Sequence, residues 1–236
     1  MKKAFVLHSG GLDSTALLYH VLAGGKYPAV TTVNIDYNQR HSKELDCAQK
    51  VLVHAKEKFV DIKLDARKAT IPQLAKSNTA LVKGDYKIPD VSYAELQGKS
   101  PAYVTNRNMM LIASMVCVAE EELSTNNNIK EADLFFGAHS DDAAGWAYPD
   151  CTPEFVGAMA NAIFVSSQGQ LRLVAPFQHF VKSDNVRVGH ENGAPLSMTW
   201  SCYKGRQMHC GVCPTCRDRK EAFKLAKVYD STEYAE

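Results

Sequence analysis

Ser9-Gly10-Gly11-Leu12-Asp13-Ser14 is the stretch on which the fold of this chain turns. Just before it, residues 4–7 (Ala-Phe-Val-Leu) form a short apolar run that reads as a buried strand. Just after it, residues 14–22 carry the 3.6-residue period of a helix. A strand, a glycine pair and a helix start together make a cradle for an anion. The glycines let the backbone turn tightly and approach a ligand closely. The first N–H groups of the helix have no internal acceptor and face outward. The hydroxyls of Ser9, Ser14 and Thr15 stand ready to join them. The loop lacks the lysine and the spacing of a Walker A sequence, so γ-phosphoryl transfer is not the chemistry it indicates, and it lacks the spacing of a dinucleotide fingerprint. The plain alternative is a tight turn with an N-cap. The complete hexapeptide, placed directly after the first strand, favours a phosphate loop.

Working outward, apolar strand-like runs at 29–35, 59–64, 134–136 and 171–174 alternate with helical periods at 43–56, 107–123 and 153–165. Such alternation predicts parallel β-α-β units, hence a doubly wound α/β sheet with helices on both faces. Ligands of these sheets lie beyond the carboxyl ends of the strands, which gathers residues 9–13, 36–41 and 139–150 around one crevice. Residues 77–103 are polar, carry Pro89 and Pro101, and read as a long irregular loop. Asn126-Asn127-Asn128 reads as a surface turn. Two units are expected, a catalytic domain over 1–197 and a metal-binding segment with a final helix over 198–236.

Bulk properties narrow the function. The 236 residues include 27 Lys+Arg against 26 Asp+Glu, a net charge of +1. Proteins that grip nucleic-acid backbones usually carry a basic excess, so no directly bound nucleic acid is expected. No apolar run is long enough to span a bilayer. The basic-then-apolar start runs straight into the glycine loop rather than a cleavage site, and the reading is a cytoplasmic protein. Four of the seven cysteines, Cys202, Cys210, Cys213 and Cys216, fall in the pattern C-x7-C-x2-C-x2-C. Four thiolates suit a closed tetrahedral zinc site, with Gly205 and Gly211 easing the turns. An iron–sulfur cluster is the rival, since three of the cysteines share part of a ferredoxin-like spacing. Cys47 and Cys117 fit helix cores.

The glycine loop resembles the SGGxDS loop of the ATP pyrophosphatases. Several stretches narrow the resemblance: VLHSGGLDST at 6–15, DYNQRHSKEL at 36–45, VTNRN at 104–108, YPDCTPEF at 148–155, and TWSCYKG with CGVCPTC between 199 and 216. In this order they look like the 7-cyano-7-deazaguanine synthases, the QueC family of queuosine biosynthesis, along nearly the whole chain. Three departures stand out: Thr105-Asn106 replaces a usual Pro-Gly, the run from Ser140 to Ala147 before the YPDC motif is altered and longer, and Ala175-Pro176-Phe177-Gln178 stands where Thr-Pro-Leu-Met is common.

The resemblance implies that ATP adenylates 7-carboxy-7-deazaguanine, that ammonia then forms an amide, and that a second adenylation permits dehydration to the nitrile. It implies ATP, Mg²⁺ and Zn²⁺ as cofactors and a homodimer. His8, Ser9, Gly10, Gly11, Leu12, Asp13, Ser14 and Thr15 would hold the phosphates, Asp13 through Mg²⁺, with Lys182 approaching them after the last strand. Gln39 and Arg40 would contact substrate. His41 and Glu44, three apart on one helical face, could handle the proton of ammonia; an exposed helix start is the alternative. Arg107, at a helix N-terminus, could bind the carboxylate or a phosphate. Asp142, Trp146, Tyr148 and Asp150 are candidates for reading the base, by hydrogen bonding and by stacking. His8 and His139 sit at strand ends, and neither carries a catalytic assignment. Three other functions remain open: an enzyme of this type that stops at the amide or uses another amine, a tRNA-modifying enzyme that adenylates a nucleobase, and a zinc-ribbon binding module with a vestigial ATP site.

Overall fold

The computed structural model describes residues 1–37, 43–77, 79, 82, 100, 102–204 and 207–236. Among them five strands form one parallel sheet: β1 (Lys2–Leu7), β2 (Ala29–Asp36), β3 (Lys63–Thr70), β4 (Glu131–Phe135) and β5 (Leu171–Val174), in the order β3-β2-β1-β4-β5. The doubly wound α/β sheet expected from the alternation is therefore present. The strand order reverses between β1 and β4, and a crevice opens at such a point beyond the strand ends.

The central strands are apolar on both faces because both are covered. Phe5 packs into one core with Val33, Ile112, Met115 and Leu134, beneath α3 (Arg107–Thr125) and α5 (Pro153–Ser166). Its neighbours Ala4 and Val6 point the other way, into a second core with Leu17, Leu18, Val51 and Phe177 beneath α1 (Leu12–Ala23) and α2 (Lys43–Lys58). That is the period-two alternation of a strand. A short α4 (Ser140–Ala143) follows β4, and α6 (Lys182–Glu191) follows β5. Beyond them α7 (Pro214–Ala226) joins Phe223 and Ala222 to Leu12 and Val186 in a third cluster.

Three elements differ from the sequence expectation. The third strand occupies Lys63–Thr70 rather than 59–64. Helix α2 runs to Lys58, and Phe59 and Ile62 fold under the sheet from the connecting turn. The strand itself, KLDARKAT, lies on the sheet edge and alternates between half-buried and exposed, so hydrophobicity undersells it. Helix α6 is polar enough to have escaped notice. The final helix begins at Pro214, inside the cysteine run, with proline at its first turn, where a missing N–H costs nothing. Nearly all of the expected loop at 77–103 lies outside the described residues.

Candidate active site and metal centre

The Ser9–Ser14 loop emerges from β1 and enters α1. Gly10 holds φ at +87°, and a Cβ there would meet the Glu44 carbonyl oxygen at 2.1 Å. Backbone conformation and the close approach of α2 both require glycine. The loop is knitted by its own hydroxyls: the Gly11 N–H donates to Ser9 Oγ (3.1 Å), the Ser9 N–H donates to Ser14 Oγ (3.2 Å), and Ser14 Oγ donates to the Gly11 carbonyl (3.2 Å). No side chain caps α1. Its first-turn N–H groups are left for an anion.

Asp13 is the most heavily engaged side chain of this region. Asn185, fully buried on α6, donates to its Oδ1 (2.9 Å), while Lys182 Nζ approaches Oδ2 at 3.2 Å and His139 Nε2 lies 3.6 Å away. Burial alone would raise the Asp13 carboxyl, but Lys182, His139 and the Asn185 hydrogen bond hold it well below the usual carboxylate range. His139 also lies 3.3 Å from Asp142. Burial works against its charge, yet the Asp142 and Asp13 carboxylates raise its pKa overall. Lys182 is likewise pushed up, Asp13 and Asp142 outweighing its burial. Lys182 and His139 thus face two carboxylates, Asp13 and Asp142, across the β1 and β4 ends.

A cleft of about 230 Å³ connects this cluster to a second one. Its lining includes Ser9, Gly11, Leu12, Asp13, Ser14, Asp142 and Lys182 at the loop, Val33, Ile35, Leu111 and Phe136 as apolar walls, and Tyr37, Glu44, Arg107 and Asn108. Arg107 is held fully charged: burial opposes its charge, and Tyr37, Tyr203, Tyr148 and Asp150 around it prevail. Desolvation pushes Glu44 up to about 7, with Arg107 pulling the other way. His8 lines the cleft too, but its Nε2 pairs with Thr15 Oγ1 at 3.1 Å and burial lowers its pKa to about 4. It is neutral.

Several expected contacts are placed elsewhere. Thr15 is buried with its hydroxyl on His8 rather than toward the phosphates. Asp150 does not line the cleft. Its Oδ2 accepts from the Asn108 N–H (2.9 Å) at the start of α3, doing the work of a cap that the αL residue Asn106 does not supply. Trp146 is 66 % exposed with φ at +61° and does not line the cleft. Tyr148 is buried behind the wall, its hydroxyl donating to Ser100 Oγ (3.0 Å) and sharing a contact with Tyr203. Gln39, Arg40 and His41 lie outside the described residues. Sequence reasoning missed His139 as a partner of Asp13, along with Asn185, Tyr37, Trp200, Ser201 and Tyr203. For His139 a signal existed: His139 and Asp142 stand three apart just after a strand, at the sheet's switch point.

The cysteine segment forms part of this wall. The ligand atoms of Cys202, Cys210, Cys213 and Cys216, all buried, lie within 4.8 Å of one another. Cys210 and Cys216 are 3.9 Å apart, too far for a disulfide, and all four thiols are free. Sulfur neighbours drive these thiols apart: Cys202 and Cys216 hold Cys213 down, while Cys202 and Cys213 push Cys216 up. A cation among them removes the conflict. The Cys210 and Lys204 N–H groups donate to Cys202 Sγ, and the Cys213 N–H to Cys210 Sγ, as thiolate ligands require. This knot reaches the cleft directly. The Trp200 N–H donates to the Gly10 carbonyl (3.0 Å), and Trp200, Ser201, Tyr203 and Thr215 line the pocket.

Fold and site together define a doubly wound α/β protein with a strand–glycine loop–helix anion cradle and a four-cysteine cluster that could hold a metal ion. More narrowly, the family described as queuosine biosynthesis protein QueC matches residues 3–227, and the chain belongs to that family. Among its relatives are the 7-cyano-7-deazaguanine synthases of Caldicellulosiruptor bescii (41 % identical, covering 98 % of this chain and 97 % of the relative) and Methanoregula boonei (36 %, 98 % and 99 %). A solved structure of the U34-tRNA thiolase NcsA from Methanococcus maripaludis with its [4Fe-4S] cluster covers 100 % of this chain and 74 % of its own at 11 % identity, with a TM-score of 0.43, a likeness too loose to bear on function. Among the described residues no helix is long and apolar enough to cross a membrane.

Proposed function

We propose that this chain is an ATP-dependent carbon–nitrogen ligase that converts 7-carboxy-7-deazaguanine and ammonia to 7-cyano-7-deazaguanine. The observation that carries the proposal is the single cleft joining the Ser9–Ser14 loop, with Asp13 and Lys182, to Arg107 and the cysteine wall. A carboxylate is a poor electrophile. Transfer of AMP to its oxygen, with loss of pyrophosphate, makes that oxygen a leaving group. Ammonia displaces AMP to give the amide, and adenylation of the amide oxygen allows its loss as AMP and formation of the nitrile. Two ATP are consumed for each nitrile, and the two oxygens leave on two AMP.

Each part of the cleft has a task in this reading. The loop N–H groups and hydroxyls bind the departing pyrophosphate. Lys182 supplies positive charge beside them, and Asn185 and His139 hold Asp13 in place. Asp13 and Asp142, which both line the cleft beside His139, are hard oxygen donors and would suit Mg²⁺, which would neutralise phosphate charge. Cys202, Cys210, Cys213 and Cys216 fit Zn²⁺: tetrahedral ligation at about 2.3 Å places sulfurs roughly 3.8 Å apart, close to the 3.9 Å between Cys210 and Cys216. That ion would be structural, with no open position. Arg107, kept charged among tyrosines, meets the acid. The reading is of a cytoplasmic enzyme of small molecules that binds no nucleic acid, in keeping with its net charge of +1. Assembly as a homodimer belongs to the same reading, supported by exposed Phe164 and Val165 on α5; light scattering checks it.

Mass spectrometry of the product from 7-carboxy-7-deazaguanine, ATP and ammonium tests the proposal. The expected product is the nitrile. An amide that accumulates without further conversion would show an enzyme that stops halfway, and no base-derived product would refute the assignment.

A further inference from the structure

Among the described residues, three carboxylates line the cleft: Asp13, Asp142 and Glu44. The first two face His139 and Lys182 at the loop end. Glu44 is different. It sits on the first turn of α2, in the electrostatic reach of Arg107, and neither a hydrogen bond nor a close ion pair engages its carboxylate among the described residues. The cleft it lines has apolar walls: Val33, Ile35, Leu111 and Phe136. A carboxylate partly stripped of water and left unpaired costs free energy. A ligand that brings donors of its own offsets that cost.

We propose that Glu44 and Arg107 together read the guanine edge of the deazaguanine acid, Glu44 accepting from the ring N1–H and the 2-amino group while Arg107 donates to O6. The assignment rests on the deazaguanine reading of the function given above. A guanine edge presents, in order, one acceptor and two donors. Its complement is a donor and an acceptor with two oxygens, and the Arg107 guanidinium and the Glu44 carboxylate, lining the same cleft, supply that. An adenine edge presents an amino donor next to a ring acceptor, and its single amino group uses only one oxygen of Glu44. The 7-carboxylate neighbours O6 on the deazaguanine ring, so the remaining N–H groups of the Arg107 fork reach it as well. Asp150 has no such role. It stands behind the wall with Oδ2 committed to the start of α3.

The test is steady-state kinetics of the full-length enzyme and of Glu44→Gln, a variant of nearly equal shape whose fold is checked by circular dichroism. Each is given 7-carboxy-7-deazaguanine and the analogue lacking the 2-amino group, with ATP and ammonium. Loss of the amino group should cost the wild type roughly tenfold to a hundredfold in kcat/KM, the range for a buried hydrogen bond to a charged partner. In Glu44→Gln the two acids should differ by less than about threefold, with the KM for ATP unchanged. Undiminished discrimination in Glu44→Gln overturns the proposal. So does an equal loss of kcat on both acids, which would make Glu44 a proton carrier for ammonia. A Glu44→Gln enzyme that no longer separates ATP from inosine triphosphate also overturns it, because Glu44 would then read adenine. Calorimetric binding of the two acids accompanies turnover. An enzyme that discriminates in binding but forms no nitrile fails the functional reading and leaves the edge reading standing; one that binds neither acid fails both.

Discussion

At the scale of single residues, Asp13 and Glu44 show how one side-chain class is put to opposite uses by its surroundings. Asp13 is surrounded by Lys182, His139 and Asn185, which hold its carboxyl well below the usual carboxylate range. Asp13→Asn leaves Lys182 without its partner and removes a carboxylate from the proposed phosphate end. We expect turnover to fall by about a hundredfold or more, the scale of losing one preorganised electrostatic group. Near wild-type turnover would remove Asp13 from the chemistry. Burial pushes the Glu44 carboxyl up from its ordinary 4.5 to about 7. Because the folded value is the higher one, folding favours the protonated form. The contribution to stability is present below about pH 4.5 and is lost as pH rises through 7. Glu44→Gln, which cannot ionise, should therefore melt higher than the wild type at pH 8.5, by about 2–4 °C for each kcal/mol recovered. The gap should close toward pH 5 in thermal melts, and a gap that widens there would contradict the assignment. Asp13, Lys182, Arg107 and Glu44 were legible as candidates because each sits beside a recognisable strand end or helix start. Asn185 was not, since its neighbour lies 172 positions away in sequence.

At the scale of elements, the glycine loop and the start of α3 are each fixed by one contact that sequence periodicity does not report. Gly10→Ala would force a Cβ into the Glu44 carbonyl at an unfavourable positive φ. Backbone meets backbone there, so α2 must move. We expect the melting temperature and turnover to drop together, by about 2 kcal/mol or more in stability; an unchanged Tm would show that the close approach is absent in solution. Asp150→Ala removes the acceptor of the Asn108 N–H at the start of α3, next to Arg107. Its expected cost is about 1–3 kcal/mol of stability, read in denaturant unfolding, with Asp150→Asn milder. A raised KM for the base at unchanged stability would instead make Asp150 a contact of the substrate. The loop and α1 were legible because glycines, hydroxyls and a helical period agree. Strand β3 was not, because an edge strand with half its side chains wet carries a weak hydrophobic signal, while Phe59, Val60 and Ile62 beside it imitate a buried one.

At the scale of the molecule, the cysteine segment is a wall of the cleft rather than an appendage. Arg219, fully buried, ties it together, donating to Thr199 Oγ1 (2.8 Å), Ser201 Oγ (3.1 Å) and the Leu196 carbonyl (2.7 Å) from α7. The spacing of the four cysteines made the metal centre readable in sequence. That Trp200, Ser201 and Tyr203 turn from that knot toward the glycine loop was not readable, because only the sheet's crossover brings the two ends of the chain together. Purified protein should be colourless and carry one zinc per chain by elemental analysis. Stripping it with a strong chelator should lower the Tm and loosen Trp200, read as a shift in its fluorescence. Brown protein with visible thiolate-to-iron absorbance would establish an iron–sulfur cluster instead. The central claim, that ATP is split between its α and β phosphates to activate a deazaguanine acid, has one direct measurement. Phosphorus NMR of a complete turnover with 7-carboxy-7-deazaguanine and ammonium should show AMP and pyrophosphate growing together, two of each for every nitrile, and neither appearing without the acid. ADP and orthophosphate as the main products, or AMP release indifferent to the acid, would contradict it.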